Sequence, residues 1–145
     1  MLQCHIQAKR SPGRSWQCLQ RMFTGGVYVK KILIVDDSRV SRKMLGKMLE
    51  KSGFEVVAEA INGKEGYELF AKLEPDVVLM DITMPKMNGL ESMKLILDKD
   101  PDAKIIIISA AGQVEKREEA MSLGAMAFIT KPYSNQDIID AINCS

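Results

Sequence analysis

Residues 31–38 read KILIVDDS, an apolar run rich in β-branched residues that stops abruptly at two aspartates and a serine. Similar short runs recur along the chain, and between them apolar residues return every three or four positions, which is the spacing of one helix face. This alternation is typical of βα units around a parallel sheet. The sequence therefore predicts an α/β fold with five strands, at 31–35, 55–60, 77–80, 105–108 and 127–130.

The strand at 105–108 consists of four consecutive isoleucines, so both of its faces are apolar. Such a strand is buried on both faces, whereas the more mixed strand at 55–60 suits an edge of the sheet. Helices must then cover both faces, which makes the fold doubly wound. The stretch 114–123 carries many charges and is expected to be a loosely held, exposed helix. The helical stripes expected to form the core contain Val40, Met44, Leu45, Met48, Leu49, Leu90, Met93, Leu97, Ile138, Ala141 and Ile142.

The length and composition limit the range of functions. A chain of 145 residues that is 46% apolar and 27% charged suits one globular domain and differs from disordered proteins. Its apolar runs are shorter than the roughly 20 residues of a membrane-spanning helix, and its start lacks the apolar block of a secretory signal. We expect a cytoplasmic protein without a membrane contact.

Charge divides the chain into two parts. Residues 1–26 contain Lys9, Arg10, Arg14 and Arg21 and no acidic residue, whereas residues 27–145 are net acidic. The first segment shows no sustained helical or alternating pattern. We interpret residues 1–26 as a basic, disordered N-terminal extension, and residues 27–145 as the domain. The alternative is a basic arm that contacts nucleic acid or another anionic surface.

Polar residues stand directly after the apolar runs. In an open parallel sheet, ligands bind outside the carboxyl ends of the strands, so these residues are expected to meet at one edge. Each of them alone could simply cap the next helix. Three carboxylates at an apolar edge repel one another, however, and favour a hard divalent cation, which predicts Mg²⁺ as the cofactor. The polar residues that stand at the ends of the predicted strands are Asp36, Asp37, Asp81, Ser109, Thr130 and Lys131.

The same set of residues suits phosphoryl transfer. That reaction needs an in-line nucleophile, a metal ion that neutralises oxygen charge, and cationic or hydrogen-bonding contacts to the phosphoryl oxygens. Lys131 offers the positive charge and Ser109 a hydroxyl donor, and a carboxylate can be the nucleophile. Asp81 ends the strand predicted to be central and precedes a loop shaped by Pro85, so it is the best candidate for the acceptor.

Four segments of the chain, taken in order, resemble the receiver domain of two-component response regulators. The resemblance covers about residues 27–145 and implies a flavodoxin-like fold with strand order 2-1-3-4-5 and five flanking helices. The motifs DITMPKMNG (81–89) and SAAGQ (109–113), and the expectation of no further domain, make the chain most similar to the stand-alone chemotaxis regulators of this family. The four segments are KILIVDDS (31–38), PDVVLMDITMPKMNG (75–89), IIIISA (105–110) and GAMAFITKPY (124–133).

The resemblance implies a role for each acidic residue. Asp81 is expected to accept a phosphoryl group from a histidine kinase. Asp36 and Asp37 are expected to hold Mg²⁺ together with Asp81 and the backbone carbonyl of Thr83.

The resemblance also implies how phosphorylation is read out. Lys131 is expected to bind one phosphoryl oxygen and to precede Pro132 in a cis peptide bond. Ser109 is expected to hydrogen-bond another oxygen and to draw Phe128 inward. The surface expected to change consists of the helices at 113–123 and 135–142 with the fifth strand.

Some residues depart from the commonest pattern of the family. Phe128 stands where many chemotaxis members have tyrosine, and Ser109 replaces a frequent threonine. Thr83 and Ala111 lie two positions beyond the acceptor and the switch hydroxyl, where they flank the path of the hydrolytic water in this family. We hypothesise that these two residues set the lifetime of the phosphoryl group.

Other classes fit less well. A haloacid dehalogenase needs a second aspartate where this chain has Thr83, and an FMN-binding flavodoxin would not place Asp36 and Asp37 in its phosphate loop. A receiver that binds partners without phosphorylation would not need every expected site residue. DNA binding is disfavoured because the domain is net acidic and only one short helix fits after the fifth strand.

The sequence thus predicts a phosphoacceptor switch that is not an enzyme beyond its own phosphorylation and dephosphorylation. A chemotaxis-type histidine kinase and the flagellar motor switch protein, or another protein target, are the expected partners. A separate phosphatase is a further candidate partner. The alternative is a phosphorelay intermediate that passes its phosphoryl group to a phosphotransferase protein. Neither nucleic acid nor a membrane is expected to bind.

Overall fold

The computed structural model describes residues 29–82, 84, 87–110 and 112–144, so the predicted extension at 1–26 lies outside the described residues. Within them, strands and helices alternate along the chain. The strands are β1 (Lys31–Val35), β2 (Glu55–Ala60), β3 (Val77–Asp81), β4 (Ile105–Ser109) and β5 (Ala127–Thr130). The helices are α1 (Arg39–Lys51), α2 (Gly63–Leu73), α3 (Gly89–Lys99), α4 (Val114–Leu123) and α5 (Asn135–Asn143).

The five strands form one parallel sheet in the order β2-β1-β3-β4-β5, which confirms the predicted fold and strand order. The mixed strand β2 lies at an edge, as its composition predicts. The position of β3 between β1 and β4 is central, so the side chain at its carboxyl end lies in the middle of the sheet edge. The fold therefore presents Asp81 at the centre of that edge.

Two apolar layers cover the two faces of the sheet. On one face, alternate strand residues such as Val35, Met80 and Ile107 pack with residues of α2, α3 and α4. On the other face, residues such as Ile34 and Ile108 pack with α1 and α5. The central strands are thus buried on both sides, as strands of a doubly wound sheet must be.

Two residues of the predicted core are exposed instead. Val40 and Met44 are each 68% exposed, whereas Leu45, Met48 and Leu49 of the same helix are buried. Because an α-helix turns about 100° per residue, each step of four residues advances about 40° around the axis. The stripe that begins at Val40 therefore rotates into the core only at Met48, and the prediction was wrong for its first two members.

Two strands extend one residue beyond their predicted ends. Asp81 is the last residue of β3 and pairs with Ile108, and Ser109 is the last residue of β4 and pairs with Thr130. The polar side chains therefore belong to the hydrogen-bonded ladder, not to the loops that follow. The backbones of Asp81 and Ser109 are therefore positioned by the pairing of the strands.

Helix α4 is held more loosely than the others. Among those of its side chains that the structure describes, only Ala120 is buried, whereas α3 buries Gly89, Leu90, Ser92, Met93 and Ile96. This agrees with the thin apolar stripe in its sequence. Within the described residues, no helix combines the length and apolarity needed to cross a membrane.

Candidate functional site

Three carboxylates meet at the carboxyl edge of the sheet. Asp36 and Asp37 directly follow β1, and Asp81 ends the adjacent strand β3. One oxygen atom of each lies within 4.8 Å of one oxygen of the other two. Asp36 is 4% exposed and Asp81 8% exposed, while Asp37 faces the solvent. The structure thus brings together the three acids that the sequence singled out.

The backbone around Asp36 is fixed by its neighbours. Its N–H group donates to the carbonyl of Ala60 at the end of β2, at 3.0 Å. One of its carboxylate oxygens, Oδ1, accepts a 2.8 Å hydrogen bond from the backbone N–H of Ser38. Ser38 is also the N-cap of α1, since its hydroxyl oxygen accepts from the N–H of Ser41. The turn that starts α1 therefore also orients the Asp36 carboxylate.

The start of α3 lies closely against the end of β3. Gly89, the first residue of α3, donates its N–H to the carbonyl of Ile82 at 2.9 Å. A Cβ atom at Gly89 would collide with the backbone carbonyl oxygen of Asp81. Only glycine allows this approach, so the start of α3 is locked beside the candidate acceptor.

A second contact holds Met87, which lies two residues before α3. The N–H of Gly63, at the start of α2, donates to the carbonyl of Met87 at 3.2 Å. The hydroxyl of Ser92 donates to the carbonyl of Gly63 at 2.7 Å and is fully buried. A Cβ atom at Gly63 would lie 2.6 Å from the Met87 oxygen, so this contact also requires glycine. No sequence pattern indicates this contact, because Gly63 and Ser92 belong to two helices that are distant in the chain.

Lys131 places a positive charge against the acidic group. It directly follows β5, and its N–H donates to the carbonyl of Ser109 at 2.8 Å, which aligns the ends of β4 and β5. Its Nζ atom lies 3.6 Å from Oδ2 of Asp81. The Lys131–Pro132 peptide bond is cis.

Ser109 and Phe128 occupy neighbouring strands. Ser109 is fully buried, and its hydroxyl makes a long hydrogen bond of 3.4 Å to the carbonyl of Ala110. A bond of that length is weak, so the hydroxyl is able to turn toward a better acceptor. Phe128 is half-buried on β5 and packs on the face of the sheet that α2, α3 and α4 cover.

Burial changes the acid–base behaviour of the site. It raises the pKa of Asp36 to about 6, and the nearby charge of Asp81 adds to the effect, while the hydrogen bond from Ser38 opposes it. Burial also raises the pKa of the Tyr133 hydroxyl, with the charges of Asp36 and Asp81 as further causes. Among the described residues, the ammonium group of Lys131 lies 3.6 Å from Asp81, and one such charge does not balance three acids, so a cation would relieve the excess of negative charge.

The donor set fits Mg²⁺. Carboxylate oxygens are the ligands that this hard cation prefers, and it is usually bound by one or two carboxylates together with waters or phosphate oxygens. Exposed Asp37 leaves one side of the cluster open to solvent for such ligands. Thr83, whose carbonyl was predicted as a further ligand, and Ala111 lie outside the described residues.

One charged residue at the site was missed by the sequence analysis. The side chain of Arg42, on α1, is only 12% exposed, and its Nη1 atom donates to the backbone carbonyl of Asp36 at 2.6 Å. Its Nε atom lies 3.5 Å from Oε1 of Glu59 on β2. The only available signal was its position on the helix that follows the aspartates, and many surface arginines share that feature.

Comparison with known proteins gives the class of this fold and site. Residues 32–143 match the family model of the response regulator receiver domain. The chain belongs to this family.

Within the family, the chain is similar to chemotaxis regulators of the CheY type. It is 47% identical over 114 residues to the chemotaxis protein CheY of Thermotoga maritima, which covers 79% of this chain and 95% of that protein. It is 46% identical over 113 residues to CheY of Bacillus subtilis, covering 78% of this chain and 94% of the relative. The protein is thus a CheY-like receiver domain.

Solved structures show the same likeness. The structure superposes with a TM-score of 0.77 and 31% identity on a chain of the CheX–CheY–BeF3–Mg²⁺ complex from Borrelia burgdorferi, covering 83% of this chain and 90% of that one. The response regulator domain of Thermotoga maritima CheB gives a TM-score of 0.74 at 34% identity, covering 80% of this chain and 95% of that one.

The raised pKa of Asp36 predicts a pH-dependent cost of folding in the metal-free protein. Asp36 takes up its proton near pH 6 when folded and near the ordinary value of 3.8 when unfolded. Between these values the folded state binds more protons, so its stability falls as the pH rises from about 4 to about 6 and then levels off. Asp36→Asn lacks this dependence, so its stability relative to the wild type should increase over that interval.

Urea denaturation with a chelator, repeated between pH 4 and pH 8, measures this difference. Asp98→Asn, at an exposed aspartate on α3, is the matched control and should follow the wild type at every pH. A stability difference between Asp36→Asn and the wild type that stays constant over the range would contradict the prediction.

Proposed function

We propose that the protein is a phosphorylation-controlled switch in chemotaxis-type two-component signalling. Asp81 accepts a phosphoryl group from a histidine kinase, and the phosphorylated domain changes its affinity for a protein target. The observation that carries the proposal is the pocket in which Asp36, Asp37 and Asp81 converge with the Lys131 ammonium group 3.6 Å from Asp81. The similarity to CheY proteins supports it.

The proposed reaction is an in-line displacement at phosphorus. A carboxylate oxygen of Asp81 attacks and forms the new oxygen–phosphorus bond, while the nitrogen–phosphorus bond of the donor histidine breaks and its electron pair stays on the imidazole. A bound Mg²⁺ would be held by Asp36, Asp37, Asp81 and the carbonyl of Thr83, and it would supply neutralisation of the charge on the phosphoryl oxygens. Asp81 suits the attack because its backbone is part of the central strand, which holds the carboxylate in place.

Lys131 and Ser109 hold the transferred group. The Lys131 ammonium already faces the acceptor oxygen, so it can bind a phosphoryl oxygen after only a small movement. The Ser109 hydroxyl would exchange its long bond to the Ala110 carbonyl for a stronger one to a charged phosphoryl oxygen. The net charge of Asp81 changes little on phosphorylation, so the geometry of these contacts carries the signal.

The signal passes to a surface made of α4, β5 and α5. Ser109 and Thr130 pair at the ends of β4 and β5, and Phe128 lies two residues before Thr130 on the same strand. A shift of Ser109 toward the phosphoryl group opens space into which Phe128 moves. Helix α4, with Ala120 as its buried anchor, is the part of this surface best able to follow.

We propose the flagellar motor switch protein as the target and a chemotaxis histidine kinase as the donor, with all three in the cytoplasm. We propose a phosphatase that ends the signal as a further partner, and we expect neither nucleic acid nor membranes to bind. The alternative is a phosphorelay intermediate that passes its phosphoryl group to a phosphotransferase protein. In both cases the active unit is residues 27–145, with residues 1–26 as an extension outside it.

Phosphorylation of Asp81 can be tested with a small phosphodonor. Incubation with acetyl phosphate and Mg²⁺ should add one phosphoryl group, and intact mass spectrometry should show it to be acid-stable and labile to hydroxylamine. Asp81→Asn should abolish the mass increase, because an amide is not a nucleophile here. The exposed Asp98→Asn should behave as the wild type. No mass increase in the wild type would overturn the proposal, and an increase that persists in Asp81→Asn would move the acceptor elsewhere.

The phosphoryl lifetime should depend on Thr83 and Ala111. Thr83→Asn or Ala111→Glu introduces a group that can hydrogen-bond the attacking water, and one such bond contributes about 1 kcal/mol, or a shortening of about fivefold. Loss of phosphate from the purified phosphoprotein, timed after removal of the donor, measures the effect. Glu115→Gln, on exposed α4, is a control. Identical lifetimes in all variants would refute the hypothesis.

The choice of target can be tested by binding. Phosphorylation should strengthen binding to the flagellar motor switch protein of the same organism by about 5- to 150-fold, the usual range of such coupling. Phe128→Ala should still be phosphorylated but should lose this gain. Fluorescence anisotropy with labelled switch protein measures both. Equal affinity with and without phosphate, together with transfer of the phosphoryl group to a phosphotransferase protein, would favour the alternative.

A further inference from the structure

Arg42 is buried to a degree unusual for an arginine. Its side chain extends from the first turns of α1 into the space between that helix and the edge strand β2, and only 12% of it is exposed. Charged groups are rarely placed there without partners, because their transfer out of water is costly. Within the described part of the chain, Arg42 contacts the carbonyl of Asp36 at 2.6 Å and the carboxylate of Glu59 at 3.5 Å.

The bond to Asp36 completes a set of restraints on that residue. The N–H of Asp36 is held by Ala60 of β2, and its carboxylate by the N–H of Ser38. Its carbonyl is held by Arg42. The main chain of Asp36 is thus fixed from β2 on one side and from α1 on the other. Without Arg42, a carbonyl in a nearly buried position would lose a charge-assisted bond, and the peptide that follows Asp36 would be able to rotate.

The shape of the guanidinium group matters for this arrangement. Its donors form a rigid planar fork, so one group can bond Asp36 through Nη1 while Nε faces Glu59. The ammonium of a lysine is a single point on a flexible chain and cannot hold both contacts in the same geometry. The structure therefore uses a property that arginine alone has.

We propose that Arg42 is a positioning residue for Mg²⁺: it acts through the carbonyl of Asp36 and keeps the Asp36 carboxylate turned toward Asp37 and Asp81. This inference rests on the proposed function, since it needs the three carboxylates to bind Mg²⁺. Removal of a residue that orients a metal ligand typically weakens metal affinity by 10- to 100-fold. Glu59 keeps the guanidinium in place from the other side.

The experiment is a Mg²⁺ titration of the full chain, stripped of metal and without phosphodonor. Backbone amide shifts of the pocket residues in NMR spectra give the dissociation constant. Arg42→Met should weaken Mg²⁺ binding by about tenfold or more. Arg42→Lys should weaken it less, because an ammonium can reach the Asp36 carbonyl alone. Arg39→Met removes the same charge from an exposed site one turn earlier and should bind Mg²⁺ like the wild type.

Three outcomes would overturn the proposal. Arg42→Met could lose thermal stability but keep wild-type Mg²⁺ affinity, which is what a merely structural arginine would give. Arg39→Met could weaken binding as much as Arg42→Met, which would point to long-range charge. If Arg42→Met does not fold, Arg42→Lys decides, and wild-type affinity in that variant rejects the proposal. A wild-type protein that binds no Mg²⁺ would instead contradict the proposed function itself.

Discussion

The mutual repulsion of three carboxylates at the end of an apolar sheet is the constraint around which the rest of this molecule is arranged. Their oxygens lie within 4.8 Å of one another, and two of the three side chains are nearly buried. At an effective dielectric constant of 20, two unit charges 4 Å apart interact by about 4 kcal/mol, which is comparable to a large part of a domain's stability. Burial raises the pKa of Asp36 to about 6, and the charge of Asp81 adds to this effect. A cluster of this kind persists only on a scaffold stable enough to hold it.

The scaffold meets that demand through the central strands. β1, β3 and β4 are apolar on both faces and packed between two helical layers, so the positions at which they end are fixed by the whole core. The segments that leave these strands are then fixed by local contacts: Ser38 caps α1, and Gly89 brings α3 against the backbone of Asp81. Firmly held strand ends and turns keep the like charges together, whereas a flexible loop would let them separate.

The sequence predicted what depends on local pattern and missed what depends on distant partners. The strands, the doubly wound fold and the meeting of Asp36, Asp37 and Asp81 follow from runs of apolar residues and the polar residues at their ends. The exposure of Val40 and Met44 was missed because a spacing of four residues does not say which edge of the stripe faces the sheet. The contacts of Arg42 with Glu59 and of Ser92 with Gly63 were missed because the partners lie on other elements, which only the folded chain brings near.

The same contrast between rigid and loose elements bears on how a switch can work in this fold. Coupling between phosphorylation and a binding surface usually amounts to about 1–3 kcal/mol, so the element that moves must be one whose displacement costs no more than that. Helix α3 cannot be such an element, since it buries five residues and is locked to Asp81 through Gly89. Helix α4 can, because its buried anchor is the small side chain of Ala120 and its remaining described side chains are exposed or half-buried. Segments that open or shift at low cost are the ones from which conformational switches are drawn. The charged, weakly packed sequence of α4 is therefore the property that would let a small change at Ser109 reach a partner in the proposed switch.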